Sequence, residues 1–84
     1  MRARVLVVDD DPSMCDLLRD GLTASGFDVT TVSSAAEALS EVERGDHHIV
    51  ITDLHLGAED GLELCRTLNQ RLPELPVVVV TAFG

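Results

Sequence analysis

Three consecutive carboxylates, Asp9-Asp10-Asp11, follow directly on the apolar run Val5-Leu-Val-Val8, and a fourth, Asp53, follows Ile49-Val-Ile-Thr52. Acids gathered this closely repel one another and resist burial unless a cation shares them. Hard oxygen ligands with room left for water suit Mg²⁺. If the two runs are neighbouring strands whose carboxyl ends lie together, acids from both converge there. A carboxylate beside such a cation can act as a nucleophile toward a phosphoryl group, a reaction that needs mainly positioning and charge neutralisation. Asp11, directly before Pro12, reads instead as a helix cap.

The rest of the sequence supplies elements able to position these acids. β-Branched apolar runs recur at Val5–Val8, Val29–Val32, Ile49–Ile51 and Val77–Val80, which predicts four strands. Between them, helical spacing links Met14, Leu17, Leu18 and Leu22, then Ala35, Ala38, Leu39 and Val42, then Leu64, Cys65, Leu68 and Leu72. Asp11-Pro12 starts the first helix and Gly26 stops it. Ser34-Ala-Ala-Glu37 and Asp60-Gly-Leu-Glu63 have the spacing of reciprocal capping boxes, and Gly45 and Pro73 end those helices. The order βαβαβαβ predicts one α/β unit with a parallel sheet covered on both faces.

Composition narrows the function. The chain has 84 residues, a formal charge of −9, fifteen acidic against six basic residues, two Phe, and no Trp or Tyr. It lacks both the electrostatics and the stacking groups of a nucleic-acid surface, so direct DNA or RNA binding is not expected. No apolar run approaches the length of a membrane helix, and the expectation is a cytoplasmic protein. Cys15 and Cys65 stand singly, without metal-site or redox spacing, and are expected to be packing residues.

The segments VLVVDDDP, IVITDLHLGAEDGLEL and LPVVVVTAFG, in that order along the whole chain, resemble the hallmark segments of response regulator receiver domains from two-component signalling. The resemblance implies a flavodoxin-like parallel sheet of order 2-1-3-4. It implies that Asp53 is the phosphoacceptor, that Asp10 is a side-chain ligand to Mg²⁺, that Asp9 helps hold the ion through water, and that His55 supplies a backbone carbonyl. Thr81 would be the switch hydroxyl, with the small Ala82 after it leaving access to the site. The implied partner is a sensor histidine kinase, and the implied role is a self-phosphorylating phosphoacceptor domain rather than a turnover enzyme. LPVVVVTAFG, TDL and DGLEL look most like receivers at the front of sigma-54-dependent transcription activators.

Two features depart from the family pattern. Gly57 stands four residues after Asp53, where the family usually has proline. The family also continues past the position of Gly84 through a fourth helix, a fifth strand and a fifth helix, and its fifth strand carries a lysine and an aromatic. Residues 1–84 are therefore expected to be the N-terminal portion of a single receiver domain, lacking the fifth strand and the last two helices and with impaired phosphorylation. Val77–Val80 would then be an open edge, and self-association through it or by exchange of elements is expected. Two alternatives are a receiver-like interaction or dimerisation module that is not phosphorylated, and a phosphatase resembling the haloacid dehalogenases with Asp9 as nucleophile. The latter fits imperfectly, because Ser13 stands where that motif has Thr or Val.

Overall fold

The computed structural model describes residues 2–81. Strand β1 (Arg4–Val8) leads into helix α1 (Pro12–Ala24), β2 (Asp28–Val32), α2 (Ala35–Glu43) and β3 (Ile49–Asp53). Two short strands, β4 (His55–Leu56) and β5 (Glu59–Asp60), precede α3 (Gly61–Arg71) and β6 (Val77–Val80). The main sheet is parallel with order β2-β1-β3-β6. In terms of its own four strands this is the expected 2-1-3-4 arrangement. The antiparallel β4–β5 hairpin, pairing His55 with Asp60 and Leu56 with Glu59, is an addition to the expected βαβαβαβ order. Its strands are only two residues long, too short to show as an alternating pattern.

Position in the sheet explains composition. β1 lies inside and is covered on both faces, so Val5, Leu6, Val7 and Val8 are all buried and the run is uninterrupted. β2 is an edge strand of the described sheet and tolerates Thr30 and Thr31 at half-buried positions. The larger core joins Leu6, Val8 and Val50 from the sheet to Ala38 and Val42 of α2, Leu64 and Leu68 of α3, and Leu56 of the hairpin. The face of α1 takes Cys15, which is buried, while Cys65 is half-buried and both are free thiols, in keeping with packing roles. β6 forms the other edge of the described sheet, with Val78 and Val80 exposed and Val77 against the core.

The helix starts follow the sequence, but neither expected capping box closes as the spacing implies. Asp11 caps α1 by accepting from the Ser13 N–H at 2.9 Å, with Pro12 in the first turn. Ser34 caps α2, its Oγ accepting from the Glu37 N–H at 3.2 Å. The return half of that box is displaced by one residue, because Glu37 Oε1 accepts from the N–H and hydroxyl of Ser33. Asp60 caps α3 through the Leu62 N–H, but Glu63 faces Arg66 at 3.1 Å and does not close a box. Gly26 and Gly45 stop α1 and α2 at φ 97° and 82°, a left-handed backbone that glycine adopts without strain.

Candidate metal and phosphoryl centre

The register of the sheet brings the acids together. Val8 pairs with Thr52 and Asp53 pairs with Val80, so β1, β3 and β6 end level at one edge. Asp9 leaves β1 there, its N–H donating to the Val32 carbonyl at 3.1 Å, and Asp53 closes β3. One carboxylate oxygen from each of Asp9, Asp10 and Asp53 lies within 4.8 Å of the others. Thr81 follows Val80 at the same edge and is exposed. Ala82 lies outside the described residues.

The three acids sit in different surroundings. Asp9 is 3% exposed and Asp53 9%, while Asp10 faces solvent. Asp9 Oδ1 accepts from the Asp11 N–H at 2.9 Å, and its carbonyl accepts from the Cys15 thiol at 3.3 Å. Burial pushes the Asp9 carboxyl above its ordinary range; the bond from Asp11 opposes this, and the charges of Asp53, Asp10 and Asp11 add to it. Burial likewise raises the Cys15 thiol, reinforced by the charge of Asp9, so it stays protonated at neutral pH. Two nearly buried carboxylates and one exposed one, none of them in an ion pair among the described residues, form a donor set that suits a hard divalent cation. Asp10, Asp53 and Asp9 could hold Mg²⁺.

The loop after Asp53 is built closely around this set. The His55 N–H donates to Asp53 Oδ1 at 3.3 Å, and the exposed His55 opens the hairpin. Leu56, 3% exposed, anchors it in the core. Gly57 turns at φ 63°, and a Cβ there would lie 3.3 Å from Asp10 Oδ2. The Gly61 N–H donates to the Leu54 carbonyl at 2.8 Å, and a Cβ on Gly61 would run into the Asp53 carbonyl oxygen. Gly61 thus allows α3 to start against the end of β3. In the sequence Gly61 stands only as part of the Asp60-Gly-Leu-Glu63 helix start, and no spacing rule reveals a backbone approach of this kind.

The chain matches the response regulator receiver domain family over residues 5–84. It belongs to that family. A transcriptional regulatory protein of Escherichia coli K12, GlrR, is 39% identical over 82 residues, which are 98% of this chain and 18% of that protein. This receiver chain therefore spans about a fifth of the length of that relative. The response regulator TrrA of Thermotoga maritima, solved in complex with Mg²⁺-BeF, superposes with a TM-score of 0.92 at 29% identity, covering 98% of this chain and 71% of that one. A second TrrA structure, in complex with the histidine kinase ThkA, gives 0.90 at 29% identity with the same coverage. Family membership gives this receiver a signalling role rather than turnover, which displaces the phosphatase alternative. Among the described residues, no helix is long and apolar enough to cross a membrane.

Proposed function

We propose that Asp53 accepts a phosphoryl group from a sensor histidine kinase, with Mg²⁺ held directly by Asp10, Asp53 and the His55 backbone carbonyl and through water by Asp9. The observation that carries this reading is the convergence of the three carboxylates within 4.8 Å at the carboxyl edge of the sheet. An Asp53 carboxylate oxygen attacks the phosphorus of the phosphohistidine; the P–O bond forms, the P–N bond breaks, and the imidazole nitrogen keeps the electron pair. Mg²⁺, when bound, neutralises charge on the phosphoryl oxygens. Asp53 is oriented for this by the His55 N–H on one of its oxygens. Thr81, which follows Val80, the β6 residue paired with Asp53, is the switch hydroxyl in this reading. The histidine kinase bound to TrrA and the regulatory role of GlrR support a kinase donor and a transcriptional output, here of the sigma-54-dependent kind, in the cytoplasm and without direct nucleic-acid contact by this domain.

Treatment with a small phosphodonor and Mg²⁺, followed by borohydride trapping and mass spectrometry, should place the label on Asp53. A label on Asp9, or none at any Mg²⁺ concentration, refutes the assignment. Asp10→Ala should weaken Mg²⁺ binding measured by calorimetry; an unchanged affinity removes Asp10 from the ligand set.

A second proposal concerns assembly of the 84-residue polypeptide. Among the described residues β6 is an outer strand of the sheet, four valines without Lys or Pro, the kind of edge that templates pairing with another chain. Sedimentation equilibrium at micromolar concentration should show a dimer or larger species, and Val78→Lys, on the exposed face of that strand, should dissolve it. A monomer unaffected by the substitution overturns the edge-pairing reading.

A further inference from the structure

We propose that Glu59 is a positioning residue for the acidic centre: its carboxylate straps the β4–β5 hairpin to the N-terminus of α2, and the strap sets where the hairpin stands over Asp10 and Asp53. The inference rests on the phosphoacceptor reading for what the hairpin serves.

Glu59 Oε1 accepts from the Ala35 N–H at 3.0 Å. Ala35 is the first residue of α2, and its amide is among those that a helix leaves without an internal acceptor. The local capping groups are engaged elsewhere: Ser34 Oγ takes the Glu37 N–H and the Glu37 carboxylate takes Ser33. The Ala35 amide is therefore served from 24 residues away. A carboxylate in this place gains both a charge-assisted hydrogen bond and the positive end of the helix dipole.

The mechanical consequence follows from where Glu59 lies. A two-stranded hairpin with two residues per strand has little stability of its own and stands only where it is fastened. Leu56 fastens it in the core and the Gly61–Leu54 bond fastens its base. Glu59 pairs with Leu56 across the hairpin, and its side chain fastens the outer strand to α2. Between these points lies Gly57, packed close to Asp10 Oδ2, and at the near end lies His55, bonded to Asp53. Releasing the strap frees Gly57 and the His55 carbonyl to drift from positions that a small ion with strict geometry requires. Groups that orient metal ligands without touching the ion typically change affinity by about 10- to 100-fold.

The test compares Mg²⁺ affinity by calorimetry, and hydrogen exchange of the Ala35 amide in EDTA, for the wild-type chain, Glu59→Ala, Glu59→Gln and Leu22→Ala. Glu59→Ala should weaken Mg²⁺ binding by about 10-fold and speed Ala35 exchange. Glu59→Gln keeps an acceptor oxygen without the charge and should remain within about three-fold of wild type, since one exposed charge at a distance has a small, salt-screened effect. Leu22→Ala loosens α1 and should leave the affinity unchanged, separating positioning from loss of stability. Equal losses in the Ala and Gln variants would make Glu59 a remote charge and overturn the strap. So would an unchanged affinity in Glu59→Ala while the wild type binds Mg²⁺. A wild-type chain that binds no Mg²⁺ overturns the phosphoacceptor reading together with the strap.

Discussion

Asp9→Asn should stabilise the metal-free chain and reduce what Mg²⁺ adds. Asp9 and Asp53 are both nearly buried, with carboxylate oxygens within 4.8 Å of each other. Two unit charges at that separation repel by about 0.9 kcal/mol in bulk water and about 3.5 kcal/mol at an effective dielectric of 20. Asparagine keeps the oxygen that accepts the Asp11 N–H, so the substitution removes charge with little loss of bonding. The expected gain is about 1–3 kcal/mol at neutral pH in EDTA, read from urea unfolding. Because the folded-state pKa of Asp9 is raised, the folded chain holds its proton more tightly than the unfolded chain. Its contribution to stability is therefore greatest below the usual carboxylate range and is lost as pH rises through the raised value. The advantage of Asp9→Asn should vanish at acid pH and open above it. Glu37, lowered chiefly by its bonds from Ser33, contributes with the opposite sign but is common to both chains and cancels. Mg²⁺ at 100 times the wild-type dissociation constant should add about 2.7 kcal/mol to the wild type and less to the variant, so the advantage of Asp9→Asn should shrink as Mg²⁺ is raised. A variant no more stable than wild type in EDTA, or an advantage that persists at acid pH or grows with Mg²⁺, would refute the reasoning.

Two glycines give further outcomes. Gly57→Pro cannot reach φ 63° because the ring holds φ near −65°, so the proline usual in the family should destabilise this chain by about 1–3 kcal/mol in urea unfolding. Gly57→Ala should cost about 1–2 kcal/mol, while calorimetry should show weaker Mg²⁺ binding, since the new methyl lies against Asp10 Oδ2. Gly61→Ala must push α3 away from the end of β3, costing about 1–3 kcal/mol and slowing phosphorylation of Asp53 by a small donor, measured by mass spectrometry.

What the sequence disclosed depended on the range of the interaction. The four strands of the main sheet were readable because a strand buried on both faces needs an unbroken apolar run, and Val5–Val8 is one. The caps at Asp11, Ser34 and Asp60 were readable because they act over two or three residues. The closing halves of the two capping boxes were not, since Glu37 had Ser33 in reach and Glu63 had Arg66. Convergence of Asp9, Asp10 and Asp53 could be inferred because level strand ends follow from parallel pairing once the strands are placed. The hairpin and its fastening could not: Glu59 meets Ala35 across 24 residues, and nothing local to either residue signals the other.

The location of these long-range contacts bears on how such a centre can exist in a small domain. Closing three carboxylates on one another works against folding, so the positions of the acids must be imposed by parts of the chain that gain from their own packing. Strand register imposes them on Asp9 and Asp53, whose backbones continue β1 and β3 into a core that closes around Leu6, Val8 and Val50. The loop after Asp53 has no such sheet partner, and its position is imposed instead by Leu56 in the core, by Gly61 at its base and by Glu59 at its flank. Asp10, exposed and close to Gly57, is the member with most freedom to move, and it meets the loop at the point where the loop bends through a left-handed turn. A cation entering there would relieve the repulsion among acids already held in place, so little reorganisation of the sheet would accompany binding, and the loop would be the part whose order changes most.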